Sequence, residues 1–225
     1  IKYVCRNVDI IMARLIKNET VELFGKNATV PFINGCDNSY HPCQILADAL
    51  TILEKFGTLD VNLMYIGAKN NVFNSHVEFF SKMKKGTLYG LTPLVNETAC
   101  GPDFYEEAKK SGHYIELDPA MSMEEAKEYA NKMDVLYTDT WVDMEFFNNP
   151  AYQKQKEETL AKMMPYQLNG DFTKDSKAIV FHDMPMHVGF EISQDVVDKN
   201  LDHILDEAEN RRHAEKAVMY TLLNS

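Results

Sequence analysis

The chain has no CxxC pair, little basic charge, a single tryptophan and no long apolar run. Each absence removes a class of function. A membrane-spanning helix needs about 18 or more consecutive apolar residues, and no stretch approaches that. Lys and Arg number 23 against 34 Asp and Glu, a net charge of −11 over 225 residues. No basic face is left to neutralise a nucleic-acid backbone, so a nucleic-acid partner is excluded. A local anion site is not, because two or three placed arginines suffice. The four cysteines, Cys5, Cys36, Cys43 and Cys100, show neither disulfide-frame nor metal-clip spacing. They read as reduced thiols of a cytoplasmic protein. The chain opens Ile1-Lys2-Tyr3 with no Met and no signal-peptide pattern. That opening falls inside what reads as a helix and suggests a fragment or a truncated reading frame.

What is present is ordinary globular composition, with 45% hydrophobic and 25% charged residues. The length suits one large domain or two small ones. Residues 1–13 place Val4, Val8, Ile11 and Met12 on one helical face. Residues 30–42 read as a short strand and a turn-rich loop. Residues 42–56 form a strong amphipathic helix, with Pro42 in its first turn and Gly57 at its end. Strands are then expected over 61–67, 87–93, 114–118, 134–141 and 178–185, with a very short one over 203–207. Helices alternate with them over 71–85, 104–112 and 122–133. Ser122 and Glu125 form a capping-box pattern there. Residues 150–167 read as a solvated, Lys/Glu-rich helical insert, and the chain closes on a helix from about 208. Alternation of this kind predicts an α/β fold, with parallel sheets and helices on both faces.

In such sheets ligands bind outside the carboxyl ends of the strands. That rule selects Asn71 after the 61–67 strand, Asp139 after the 134 strand, and Asp183 with Met184 and Pro185 after the 178 strand. Two carboxylates in one cleft repel, so one of the pair Asp139/Asp183 is expected to hold its proton unless a cation lies between them. Trp141 and Met144 are placed to wall a small pocket. His41 and Gln44 sit where a loop enters a helix, and such a terminus offers free N–H groups and partial positive charge. The plainer readings are a helix cap for His41, Asp139 and Asp183, a dipole interaction for Arg14 at a helix end, and i,i+4 pairing with Glu207 for Arg211.

Taken together, these segments resemble the ornithine and putrescine carbamoyltransferases. INGCDNSYHPCQILADALTILEKFG resembles that family's His-Pro-x-Gln segment. DVLYTDTWVDM resembles its Asp-x-Trp-x-Ser-Met stretch, FHDMP its His-Cys-Leu-Pro, and DEAENRRHAEKAVMYTLL its closing Glu-Ala-x-Asn-Arg helix. The order agrees from Ile1 to about Leu223. The resemblance implies a carbamoyl-phosphate domain, incomplete here, over 1–53 plus the closing helix 208–225. It implies a doubly wound amine-binding domain over 54–207. It further implies that Arg14, His41, Gln44 and Arg211 hold the carbamoyl group and its neighbouring charge. Asn71, Asp139 and Met144 would hold the amine, either ornithine or putrescine. Carbonyls near Met184 and Pro185 would contact the reacting groups. The family uses no metal or organic cofactor, and its members are commonly trimers.

Three departures stand out. The family's phosphate loop, Ser-x-Arg-Thr-Arg, occurs nowhere in the 225 residues. Charged contacts of that kind carry several kcal/mol, at about 1.4 kcal/mol per tenfold in affinity, so this chain by itself is expected to bind carbamoyl phosphate poorly. The Cys of His-Cys-Leu-Pro is Asp183, and the Ser of the substrate loop is Asp143. Both changes make the amine pocket more acidic and favour a cationic amine without an α-carboxylate. The competing expectation is a non-catalytic paralogue that keeps the fold as a binding or subunit-interaction protein. Aspartate as the amine is disfavoured by Cys43 and by the Asp139-Thr140-Trp141 stretch.

Overall fold

The computed structural model describes residues 1–142 and 144–225. Its elements follow the expected alternation. A parallel pair, β1 (Ile11–Arg14) and β2 (Phe32–Cys36), flanks α1 (Asn18–Asn27) and leads into α2 (Pro42–Phe56). The remaining strands are β3 (Asn62–Lys69), β4 (Thr87–Val95), β5 (Tyr114–Glu116), β6 (Val135–Thr138) and β7 (Ile179–His182). They form one parallel sheet in the order β5-β4-β3-β6-β7. Helices α3 (Asn71–Met83), α4 (Pro102–Lys109) and α5 (Met123–Ala130) provide crossovers. A short α6 (Met144–Phe147), α7 (Gln153–Met163) and the long α8 (Gln194–Leu223) follow.

The sheet order reverses between β3 and β6, because β4 and β5 extend one way and β6 and β7 the other. This switch point opens a crevice at the carboxyl ends of β3 and β6. Its floor is rigid for a simple reason. β3 is buried along six of its eight residues, as a central parallel strand covered on both faces must be. One face packs Tyr65, Phe73, Tyr114, Tyr137 and Phe181; the other packs Met64, Ile66, Leu91, Leu136, Val180 and Ile204. Helix ends are set locally. Gly57 closes α2 at φ 69, the Asn70 side chain accepts from the Phe73 N–H to start α3, and Ser122 and Glu125 complete the capping box of α5.

Two expectations are overturned. Residues 1–13 are not a helix: only Val4–Arg6 make a 3₁₀ turn, and Ile11–Arg14 is β1. Its apolar run is too short to fix a period, and parallel pairing with β2 decides the outcome. Residues 203–207 are not a strand. They lie inside the 30-residue α8, whose buried Val197, Ile204, Glu207, Asn210 and Ala214 recur at helical spacing. Helix α8 therefore begins at 194, well before 208. The insert 150–167 is only partly α-helical, with α7 between two 3₁₀ turns.

Gly86 begins the turn into β4 with φ +65, and a Cβ there would meet the Val61 carbonyl oxygen at 2.4 Å. Left-handed backbone and a backbone clash compound each other. Gly86→Ala is expected to cost roughly 2–5 kcal/mol, read as a lowered urea midpoint with an unchanged m-value.

Candidate active site at the sheet switch point

A cavity of about 640 Å³ lies over the carboxyl ends of β1, β2, β3, β6 and β7. Arg14, His41, Asn71, Asp139, Asp183, Met184, Pro185 and Arg211 all line it. The sequence therefore placed eight residues in one cavity from six separate segments. Arg14 reaches it from the end of β1, not from a helix end. Gln44 and Trp141, by contrast, are buried behind the wall. Asp143 and the side chain of Met144 lie outside the described residues.

The cationic side of the cavity is built on the entry to α2 and on α8. His41 precedes Pro42 but does not cap the helix with its side chain. Its backbone N–H donates to Ser75 Oγ at 2.8 Å, which holds the imidazole at the cavity, and its Nδ1 is buried without a hydrogen-bond partner. Burial, then the guanidiniums of Arg211 and Arg14, push its pKa down to about 4. His41 is thus a neutral imidazole at physiological pH. Arg211 does not pair with Glu207. Its Nη2 donates to Gln44 Oε1 and, at 3.0 Å, to the Asp183 carbonyl oxygen. That bond ties α8 to the loop after β7.

The acidic side comes from β6 and β7. Asp139 is 5% exposed. Its Oδ2 accepts from Asn70 Nδ2 at 2.6 Å, and its Oδ1 accepts from the Thr140 N–H at 2.6 Å. These bonds fix its direction, and neither is a helix cap. Asp183 is held well above the usual carboxylate range, by burial first and by the Asp139 charge second. Burial and the like charge together oppose ionisation of Asp183 while Asp139 is charged. Asp139, His182 and Asp183 each bring one ligand atom within 4.8 Å of the others. They fit a divalent cation badly. His182 Nδ1 already accepts the Met184 N–H at 3.1 Å, and Nε2 faces Glu191 Oε1 at 3.2 Å.

Three supporting residues escaped sequence reasoning. Asn70 is the most consequential, joining the α3 cap to Asp139 and to Tyr65. Asp37, 3% exposed, accepts from the side chains of Asn18 and Asn34 and from the N–H groups of Ser39 and Tyr40. It shapes the loop that delivers His41. Ser75 anchors His41 from α3. The Asp37-Asn38-Ser39 turn carried an Asx-turn signal and Asn70 an N-cap signal ahead of α3, whereas the Ser75 contact to His41 is distant in sequence.

The comparisons with known proteins agree with this architecture. Residues 1–54 match the family model for the aspartate/ornithine carbamoyltransferase carbamoyl-P binding domain. Residues 59–222 match that for the Asp/Orn binding domain. Among curated relatives, an ornithine carbamoyltransferase of Pyrococcus horikoshii is 38% identical over 234 residues, covering 97% of this chain and 67% of the relative. One from Chlorobaculum tepidum is 36% identical, covering 96% of this chain but 61% of the relative. The chain thus spans about two thirds or less of these relatives' length. The solved ornithine carbamoyltransferase of Pyrococcus furiosus superposes with a TM-score of 0.82 at 34% identity, over 99% of this chain and 69% of that one. The Thermus thermophilus ornithine carbamoyltransferase gives 0.79 at 31% identity over the same shares. With both domain models matched in order and the cavity at their meeting point, the chain belongs to the aspartate/ornithine carbamoyltransferase family.

Proposed function

We propose that the chain forms the amine side and the carbonyl side of a carbamoyl-transfer site, taking a small cationic amine, ornithine first, and carbamoyl phosphate. The observation that carries this reading is a division of charge within one cavity. Arg14, His41 and Arg211 line it together with Asp139 and Asp183. The first set suits a carbonyl oxygen that gains negative charge. The second suits an ammonium group. Such a division fits a reaction between an electrophilic carbonyl and an amine, which must be held close and oriented.

The amine nitrogen, having lost a proton, attacks the carbonyl carbon of carbamoyl phosphate. A C–N bond forms, the carbonyl oxygen takes up negative charge, and the C–O bond to phosphate breaks. An ammonium R–NH3⁺ and carbamoyl phosphate thus give R–NH–CO–NH2, inorganic phosphate and a proton. Neutral His41 is a hydrogen-bond donor without a charge to trap the product, and Arg14 and Arg211 supply the positive field. Asp183, in its ionised form, is placed to accept a proton from the ammonium.

Ornithine leads because the curated relatives carry that name. Putrescine is the second reading, favoured by the carboxyl at Asp183 in place of the family's thiol. The Asp139 charge repels an α-carboxylate brought near it, and a protonated Asp183 offers no compensating positive charge. The phosphate end needs donors that this chain does not show as Ser-x-Arg-Thr-Arg. We further propose a cytoplasmic protein, given four free cysteines, and a trimeric assembly on family grounds. The carbamoyl-phosphate domain would consist of 1–53 with the end of α8, and the amine domain of 54–207. The test is formation of ureido product from carbamoyl phosphate with each amine, before and after adding a segment carrying the phosphate loop. Preference for ornithine removes the putrescine reading. Silence in every arm removes carbamoyl transfer and leaves the non-catalytic paralogue.

A further inference from the structure

Beneath the cavity lies a titratable cluster that the reaction does not touch. Gln44, Asp48, His76, Tyr137 and Glu207 are all 2% exposed or less. The Gln44 side chain is fully committed. Its Nε2 donates to Asp48 Oδ1 and to Glu207 Oε1, both at 2.8 Å, and its Oε1 accepts from Arg211. The orientation of this one carboxamide is therefore set from behind by two carboxyl groups and passed forward to an arginine of the cavity wall.

The proton count at Asp48 is constrained by geometry. His76 Nδ1 lies 3.0 Å from the Val72 carbonyl oxygen, which can only accept, so Nδ1 carries a hydrogen. A neutral His76 then has a lone pair on Nε2. That atom faces Asp48 Oδ2 at 3.2 Å, and neither atom has any other partner. Two lone pairs cannot meet so closely in a dry interior without a proton between them. Both Glu207 oxygens already accept N–H groups, from Gln44 and from the His182 backbone. The Glu207 carboxyl also lies within hydrogen-bond reach of Asp48, and burial and this pairing raise its proton affinity too, but of the two only Asp48 faces the open lone pair on His76 Nε2.

We propose that Asp48 holds a proton on Oδ2 and donates it to His76 Nε2, and that Asp48 and Glu207 are positioning residues that lock Gln44 onto Arg211. The geometry requires one proton between Asp48 and His76, and the burial of both groups favours its place on Asp48; its consequence for transfer rests on the proposed function. The surroundings agree. Burial pushes Asp48 up to about 7 and His76 down to about 4, so the pair is neutral acid on neutral base. The other groups facing the cluster are Glu207 and Arg211 from α8, Tyr137 from β6, Asp139 just after β6, Tyr65 from β3 and His182 from β7. Of these only Arg211 is a fixed cation. Above neutrality Asp48 ionises, its lone pairs face His76, and the lock on Gln44 loosens.

Asp48→Asn is the isostere of the protonated state, since its Nδ2 can donate to His76 while its Oδ1 accepts from Gln44. Asp48 retains its proton in the fold between the unfolded carboxylate pKa and about 7, whereas the unfolded chain releases it. Wild-type stability from this group therefore falls as pH rises through that window and levels off above it. D48N should gain on wild type by up to tenfold in folding equilibrium constant per pH unit between about pH 5 and 7, then hold constant. In parallel, ¹⁵N shifts of His76 in the wild type should show an unprotonated Nε2 throughout pH 5–8. A pH-independent difference, a D48N chain unfolded at pH 6, or an imidazolium at His76 near pH 6 would each overturn the proposal.

Discussion

Arg211→Met is expected to lower kcat/KM for carbamoyl phosphate by at least a hundredfold, the largest single loss in the cavity. Arg211 donates to Gln44 Oε1 and to the Asp183 carbonyl, and its charge lowers the proton affinity of both Asp48 and Asp183. Two charge-assisted hydrogen bonds at about 1.5–3 kcal/mol each set the lower bound. Losing them frees the loop after β7 and leaves two buried acceptors without donors. Arg211→Lys should recover less than tenfold of that loss, because the shorter, more strongly hydrated ammonium does not hold the position from which Nη2 donates to both acceptors. Steady-state kinetics on the chain carrying an added phosphate-loop segment reads this directly. Comparable activity in R211M would remove Arg211 from the transfer site.

Asp139→Asn is the second large effect. Asp139 is oriented by Asn70 and by the Thr140 N–H, and its charge is the second cause of the raised proton affinity of Asp183. An amide in its place removes a charged contact to the ammonium and sets a donor against Asn70. The amine KM should rise by about a hundredfold, from a charged hydrogen bond of roughly 1.5–3 kcal/mol. At the same time Asp183 should release its proton at a lower pH, because its like-charged neighbour is gone. A ¹³C-carboxyl titration separates the two consequences. If the KM rises while the Asp183 titration stays where it was, the two carboxylates do not share a field.

Much of this was legible from residues alone, and the exceptions have physical causes. Helix α2 was read over Pro42–Phe56, its observed span, because proline, apolar period and glycine agree at every level. The strand tips were found because parallel sheets put ligands there. The failures lie where tertiary contact overrides local pattern. Residues 11–14 carry a short apolar run that suits helix or strand, and only pairing with β2 resolves it. Residues 203–207 look like a strand until Ile204 and Glu207 are seen on the inner face of α8. Gln44 is expected at the ligand; Asp48 one turn on in α2 and Glu207 of the distant α8 hold it behind Arg211. No sequence window holds Asp48, His76 and Glu207 together, so that cluster was invisible.

The reading as a whole turns on whether this cavity joins a carbamoyl group to an amine. Ureido product should be measured with carbamoyl phosphate and either ornithine or putrescine, on the 225-residue chain and on the chain with a phosphate-loop segment added. The account predicts product with at least one amine, weak or absent on the chain alone and strong after the addition. No product with either amine in either form would contradict it.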